Sequence, residues 1–257
     1  MNIKNIAFSK TGFFSKTACD YVNKTKSLTP FYNRFPKIEN FKQQIEEKKK
    51  SKNNSIAQRK RLVNVLEKQY KSIQTSGETI KNIQLLLKEN TFTITTGHQL
   101  NLFTGPLYFL YKIISAINLS EELREAYSNE NFVPVYWMAS EDHDFDEINY
   151  FNFKGKKVQW NSEEIGGVGR FGTKGLSDIF KEFSKHLGNS KNAIHLKELF
   201  TEGYLNHTNL ADATRYIANE LFKDYGLVII DADDKLLKED LAPYIKQDLL
   251  EQVSFKE

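Results

Sequence analysis

The sequence predicts an α/β protein built on a parallel sheet, and three segments carry that expectation. Two are apolar runs of strand length, Phe132-Val133-Pro134-Val135-Tyr136-Trp137-Met138-Ala139 and Leu227-Val228-Ile229-Ile230. Strands covered on both faces of a parallel sheet read as unbroken runs of this kind. The third, Thr91 to Thr96, is β-branched and aromatic and ends at Gly97, as a strand meeting a tight loop does. A helical segment follows the first strand and another precedes the last. Strand, helix and strand make a βαβ unit with a right-handed crossover, so the core is Rossmann-like, with an added helical region before it.

Each element has its own local reason. The segment from Asn2 to Pro36 holds Phe8, Phe13, Phe14, Tyr21, Phe31, Tyr32 and Phe35, rings that need something to pack against. It reads as an N-terminal arm (1–36) lying on the body, with a turn near Thr29-Pro30. Helix formers dominate Asn40 to Glu47 and Ala57 to Ile73, where Leu62, Leu66, Tyr70 and Ile73 form one apolar stripe. Ser76-Gly77 breaks the pattern, and Ile80 to Leu87 is a third helical stretch. Thr104 can cap a helix running from about Gly105 to Tyr127, with Pro106 in its first turn. Apolar nearly all round at first and charged later, that helix should start buried and end in water. Tyr150 to Phe171 alternates and contains Gly166-Gly167, which suggests a hairpin or an excursion from the sheet. Leu210 to Tyr225 is an amphipathic helix stopped by Gly226.

Composition bounds the class. With 257 residues, 40% of them hydrophobic and 27% charged, the chain is globular rather than fibrous or disordered. It reads as one domain over 1–257, incomplete at its C-terminus, that includes the arm and a basic helical region (37–90). Cys19 is the single cysteine, which excludes an internal disulfide. No stretch has the roughly 18 apolar residues of a membrane span, and the first residues lack a signal-peptide core. A cytoplasmic protein without a membrane partner is expected. Residues 37–89 carry +7 and the remainder −4. Lys48 to Asn54 has no aromatics among its charges, so a solvated helical face is expected there rather than a nucleic-acid partner.

Two polar tracts sit at strand carboxyl ends, where ligands of open parallel sheets collect. The first is Thr96-Gly97-His98-Gln99-Leu100-Asn101-Leu102-Phe103-Thr104-Gly105-Pro106. A helix N-terminus there would favour a phosphate or carboxylate, and Gly97 and Gly105 would admit a ligand close to the backbone. A merely structural tight turn is the alternative. The second is Glu141-Asp142-His143-Asp144-Phe145-Asp146-Glu147, five carboxylates and a histidine in seven positions. Such a cluster could hold Mg²⁺, bind an ammonium group or supply a general base. An acidic first helical turn is its bland counterpart. His98 and His143 have no metal-ligand spacing signature, and no metal is assigned. His186, His195 and His207 read as surface or packing residues. Asp231 to Asp234 is a minor ligand candidate, and for Gly166 to Arg170 an ordinary loop is favoured over an anion site.

The stretches TGHQLNLFTGPLYFLYK (Thr96 to Lys112) and FVPVYWMASEDHDFDEIN (Phe132 to Asn149), with FYNRFP and YGLVIIDADD, make the sequence resemble the cysteine ligase family of bacillithiol biosynthesis. Family members are about twice as long, and many carry Gln at the position of His98. The resemblance implies a core like that of class I aminoacyl-tRNA synthetases, a coiled coil in the remainder and a homodimer of the full-length protein. It implies a carbon–nitrogen ligase that adds cysteine to glucosaminyl-malate, with ATP and Mg²⁺ as co-substrate, although no KMSKS-like loop occurs in these residues. The implied roles are oxyanion binding by Thr96, Gly97, Thr104 and Gly105, with Pro106, Tyr108 and Asp144 in the same crevice. His98 and Gln99 would stabilise developing charge, Glu141 or Asp142 would receive an ammonium, and His143 would take a proton. A non-catalytic scaffold of the same thiol pathway, or an unrelated nucleotidyltransferase, is the competing reading.

Overall fold

The computed structural model describes residues 4–51 and 55–256; Asn2 and the end of the basic run, Lys52 to Asn54, lie outside the described residues. Contacts divide the chain into two compact units, one up to Ser51 and one from residue 52 onward.

In the first unit, helix α1 (Lys16–Val22) starts where the Ser15 hydroxyl accepts the Ala18 N–H. The turn expected at Thr29-Pro30 is a 3₁₀ segment, Lys26–Phe31. The aromatic residues pair locally. Phe8 stacks on Phe14 at 4.1 Å, and Tyr21 meets Tyr32 and Phe35 at 5.4 and 5.3 Å. Helix α2 (Phe41–Lys50) carries Glu47, which is ion-paired with Arg34.

The second unit opens with α3 (Ile56–Gln69), begun by a capping box between Ser55 and Gln58. Its buried face takes in Val63 and Val65 as well as the expected Leu66. Ser76-Gly77 lies after the end of α3, where the pattern breaks as expected, and itself begins the next helix. Ser76 Oγ accepts the Thr79 N–H at 3.1 Å and starts α4 (Gly77–Leu85). Strand β1 (Thr91–His98) runs through Gly97 rather than stopping at it. Helix α5 (Tyr108–Ala126) starts later than the sequence suggests, and Thr104 does not cap it; position 107, a leucine, precedes its first turn. Nor is its first half buried all round. Leu107, Tyr108, Tyr111 and Ile114 are exposed, and a stripe from Phe109 through Ile113, Ala116 and Ile117 to Leu123 is buried, because a single face meets the sheet.

Strand β2 (Asn131–Met138) pairs with β1 in parallel, from Thr91 opposite Asn131 to His98 opposite Met138. After a single-turn α6 (Phe145–Ile148), the expected hairpin forms from β3 (Tyr150–Phe153) and β4 (Lys156–Gln159), turning at Lys154-Gly155. Helices α7 (Leu176–Leu187), α8 (Lys191–Phe200) and α9 (Leu210–Phe222) follow, with a π-helical turn, Thr201–Leu205, after α8. Gly226, at φ 70°, ends the next 3₁₀ turn and leads into β5 (Val228–Asp231). The short helices α10 (Lys235–Lys238), α11 (Ala242–Glu251) and α12 (Val253–Lys256) complete the described chain.

The sheet order is β1-β2-β5, all parallel, so all three carboxyl ends emerge on one side. The outer edge of β5 is closed by side chains instead of a further strand. Tyr70 Oη accepts the Ile229 N–H at 2.8 Å, and the Gln69 amide pairs with both Asp231 N and Asp231 O. Burial pushes the Tyr70 phenol up to about 12, so it is a neutral hydroxyl at every physiological pH. Tyr70→Phe should strand the buried Ile229 N–H and cost about 1–3 kcal/mol. Urea unfolding would read this as a lower midpoint with an unchanged slope.

Candidate functional site

The loop joining β1 to α5 is held in a conformation that side chains seldom adopt. Phe103, Thr104 and Gly105 have φ values of 47°, 68° and 43° in succession. Each such non-glycine residue costs about 1–3 kcal/mol and persists only where its surroundings demand it. Here they do. The Phe103 ring lies 5.2–5.7 Å from Phe151, Phe183 and Phe200, and its N–H donates to Tyr204 Oη at 2.7 Å. Gly105 has a second reason to be glycine, since a Cβ there would stand 2.6 Å from Asn101 Cβ.

Both polar tracts meet at this loop. Ala139 N donates to His98 O at 3.0 Å, which carries the β1–β2 ladder to its end. The Gln99 amide then donates to Asp142 Oδ2 at 3.0 Å and to Glu147 Oε2 at 2.8 Å, bridging the β1 loop to the acidic tract. The end of β1 is thereby tied to the acidic tract. Next to Gln99, His98 is 7% exposed and packed 5.1 Å from Tyr108 and 5.2 Å from Phe109. Because its Nδ1 faces the Gln99 carbonyl at 3.1 Å, Nδ1 carries the proton and Nε2 is the basic atom. Burial lowers the His98 pKa, with help from Lys112; the Gln99 carbonyl and the Asn101 side chain oppose the shift without cancelling it. His98 is thus a neutral imidazole.

Burial works against ionisation of Asp142, but the Asp144 N–H, the Gln99 amide and His143 outweigh it and hold the carboxyl below its ordinary value. Asp142 is an acceptor already in use. Glu141 is paired with Lys238 at 3.4 Å, and His143 is exposed, with Nε2 3.7 Å from Asp144. Asp142, His143 and Asp144 offer ligand atoms within 4.8 Å of one another and could hold a metal ion; His98 is not in that group. Thr96 and Thr104 are half-buried and Gly97 exposed, with nothing but Trp137 O, at 3.9 Å, near where a Cβ would be. Pro106 and Tyr108 line a cavity of about 600 Å³ beside the Gln99 bridge, together with Gly105 and Glu147.

A second network closes the β2 and β5 ends. Asp231 accepts from Ser140 Oγ and lies 3.8 Å from Arg215, a guanidinium only 3% exposed that also bonds Gln69 O. Arg170 grips Asp233 through two bonds of 2.6 and 2.9 Å. The Gly166 to Arg170 loop is thereby fastened to the residues after β5, and Gly169 and Arg170 border a cavity of about 360 Å³ with Ser140, Asp231 and Asp233. Gly169 N donates to Ser140 O at 2.8 Å, so close that a Cβ would meet Ser140 Cβ at 2.6 Å. His186 and His195 are on the surface, and His207 packs on Tyr216. Sequence reasoning passed over Asn101, Phe103, Tyr204 and Arg215. A charged residue on the apolar stripe of the Leu210 helix was the available signal for Arg215; nothing local marks Tyr204.

A parallel sheet with polar loops at its carboxyl ends and helices between its strands defines a Rossmann-like domain. The family described as bacillithiol biosynthesis BshC, N-terminal Rossmann-like domain, matches residues 1–257, and the chain belongs to that family. Similar curated proteins carry the name "Putative cysteine ligase BshC". That of Flavobacterium johnsoniae is 58% identical over 253 residues, covering 98% of this chain and 47% of its own. The protein of Christiangramia forsetii is 52% identical over 256 residues, with 98% and 47% covered. In Bacillus thuringiensis the identity is 28% over 260 residues, with 96% and 46% covered. The chain spans about half the length of these relatives.

Two outcomes follow from the loop. Gly105→Ala combines a forbidden φ with a clash and should lower stability by more than about 1 kcal/mol, visible as a drop in melting temperature. His98, with its pKa below the unfolded value of 6.5, contributes fully above that pH and loses its contribution as pH falls toward the folded value. His98→Gln should therefore lose less stability than the parent chain between pH 7.5 and pH 5 in urea titrations. Equal losses would mean that His98 is not held neutral.

Proposed function

We propose that this chain is the catalytic Rossmann-like part of a cytosolic ligase that joins the cysteine carboxyl to the amine of glucosaminyl-malate, the amide-forming step of bacillithiol synthesis. The observation that carries this reading is the Gln99 bridge, which ties the β1 loop to Asp142 and Glu147. Family membership supplies the substrates to test.

An amide cannot form directly from a carboxylate at useful rates, because oxide is a very poor leaving group. ATP is the economical activator. The residues fit a nucleotide in two respects. Gly97 leaves open space beside Trp137, an exposed aromatic face in register with it on β2, on which a base can lie. The first turn of α5 has no side-chain cap, and although the Phe109 N–H is taken by Pro106 O at 3.0 Å, the helix end still favours an oxyanion. Mg²⁺ could be held by Asp142 and Asp144. No Lys or Arg lines the cavity beside the bridge, so the phosphates belong outside it.

Thr96, Gly97, Thr104 and Gly105 then border the activated carboxyl, and Gln99 orients Asp142. His98, neutral and buried, donates no charge of its own; it fixes the Gln99 carbonyl and keeps water from that side. His143, exposed at the rim, takes the proton that the attacking amine releases as the C–N bond forms and the carboxyl's leaving group departs. A scaffold role has no comparable support, since a scaffold needs no polar crevice.

The test uses the full-length protein with cysteine, glucosaminyl-malate and ATP, with bacillithiol measured by mass spectrometry. Product should appear only when all three are present, and His143→Ala should lower kcat about 10²-fold or more. Folded full-length protein that forms no product overturns the reading. Full activity in His143→Ala removes that residue's role.

A further inference from the structure

The cavity of about 600 Å³ beside the Gln99 bridge lies within the size range of small-molecule sites, about 300–1,000 Å³, and is larger than cysteine needs. Its wall is chemically selective. Gln99, Asn101 and Asn152 present neutral amides, Tyr108 and Tyr150 present aromatic faces with hydroxyls, and Glu147 is its one carboxylate. Neutral amides beside aromatic rings suit a polyol with apolar C–H faces; a phosphate would meet no cationic side chain. Asn101 is 4% exposed, and its Nδ2 donates to Glu147 O at 3.5 Å, which ties the loop to the acidic tract. Glu141 is held by Lys238, and Asp142 by the Asp144 N–H and the Gln99 amide; Glu147 also receives the Gln99 amide, but it is exposed and lines the cavity. One site thus offers an anion for an ammonium group, with amides and phenols for hydroxyls.

We propose that this cavity seats the amino-sugar part of the amine-bearing acceptor, with Glu147 receiving its ammonium group and Asn152 its hydroxyls. This rests on the ligase reading and assigns that reading's second substrate to a place. Glu147 is here a specificity residue, and cysteine and ATP bind elsewhere in the crevice.

Calorimetry on the full-length protein, without cysteine or ATP, tests the assignment apart from turnover. Wild type should bind glucosaminyl-malate about tenfold or more tightly than the analogue with hydroxyl in place of the amine. That is the loss expected when one charge-assisted hydrogen bond disappears. Glu147→Gln should erase the preference, and Asn152→Ala should weaken both ligands. In turnover, Glu147→Gln should raise KM for the acceptor about tenfold and leave KM for cysteine and ATP within twofold. Thermal unfolding of each variant reports whether it is folded, and Tyr150→Phe, which keeps the ring, provides a milder third variant. Equal binding of amine and hydroxyl ligands to wild type overturns the assignment, as does a Glu147→Gln effect on cysteine alone. Acceptor binding without any turnover would keep the assignment and overturn the ligase reading.

Discussion

The site depends on one anchored aromatic ring. Phe103 sits in a backbone conformation that opposes it, and the cluster of Phe151, Phe183 and Phe200 holds it there. Ring packing of this kind contributes about 0.5–1.5 kcal/mol per pair beyond burial. Three such pairs, with the Tyr204 bond to its N–H, are of the size needed to offset the backbone strain. Release of Phe103 would let the loop relax, and Gly105 would no longer sit against Asn101. The hairpin, α7 and α8 are remote in sequence from that loop, yet they supply the rings that set its shape.

The parallel sheet supplies the second constraint. With β1, β2 and β5 running the same way, every polar residue at a carboxyl end is delivered to one side of the molecule. Two networks then divide that side. Gln99 ties the β1 loop to Asp142 and Glu147, while Ser140, Asp231 and Arg215 lock β2 to β5. The second network braces β2 against β5 and borders a cavity of about 360 Å³. The first has exposed carboxylate oxygen atoms and the larger cavity, of about 600 Å³. The acidic tract after β2 serves both, because Glu141 is bound toward Lys238 and Glu147 toward Gln99.

Much of this was legible in the residues. The apolar runs at Phe132 and Leu227 identified buried parallel strands because only doubly covered strands tolerate such continuity. The two polar tracts were found because polar residues directly after a buried strand have few structural uses. The residues were less legible where a local signal has two meanings. Ser76-Gly77 follows a break and is also a helix start, since a serine cap and a helix-ending glycine use similar residues. Thr104 looks like a cap, but the Phe103 anchor pulls the chain into a 3₁₀ turn, and α5 begins only at Tyr108.

By itself the sequence determined the α/β class, the strand and helix periods, the family and the two tracts that carry polar chemistry, because each is written in short-range spacing. Tertiary structure alone decided which carboxylates are free. Glu141, Asp142 and Glu147 are all acidic, and their distant partners, Lys238 for Glu141 and Gln99 for both Asp142 and Glu147, come from segments brought together by folding. It also decided that His98 is neutral, since burial against Tyr108 and Phe109 is a property of packing. Local propensity is encoded in neighbours along the chain, whereas desolvation and charge pairing depend on neighbours in space.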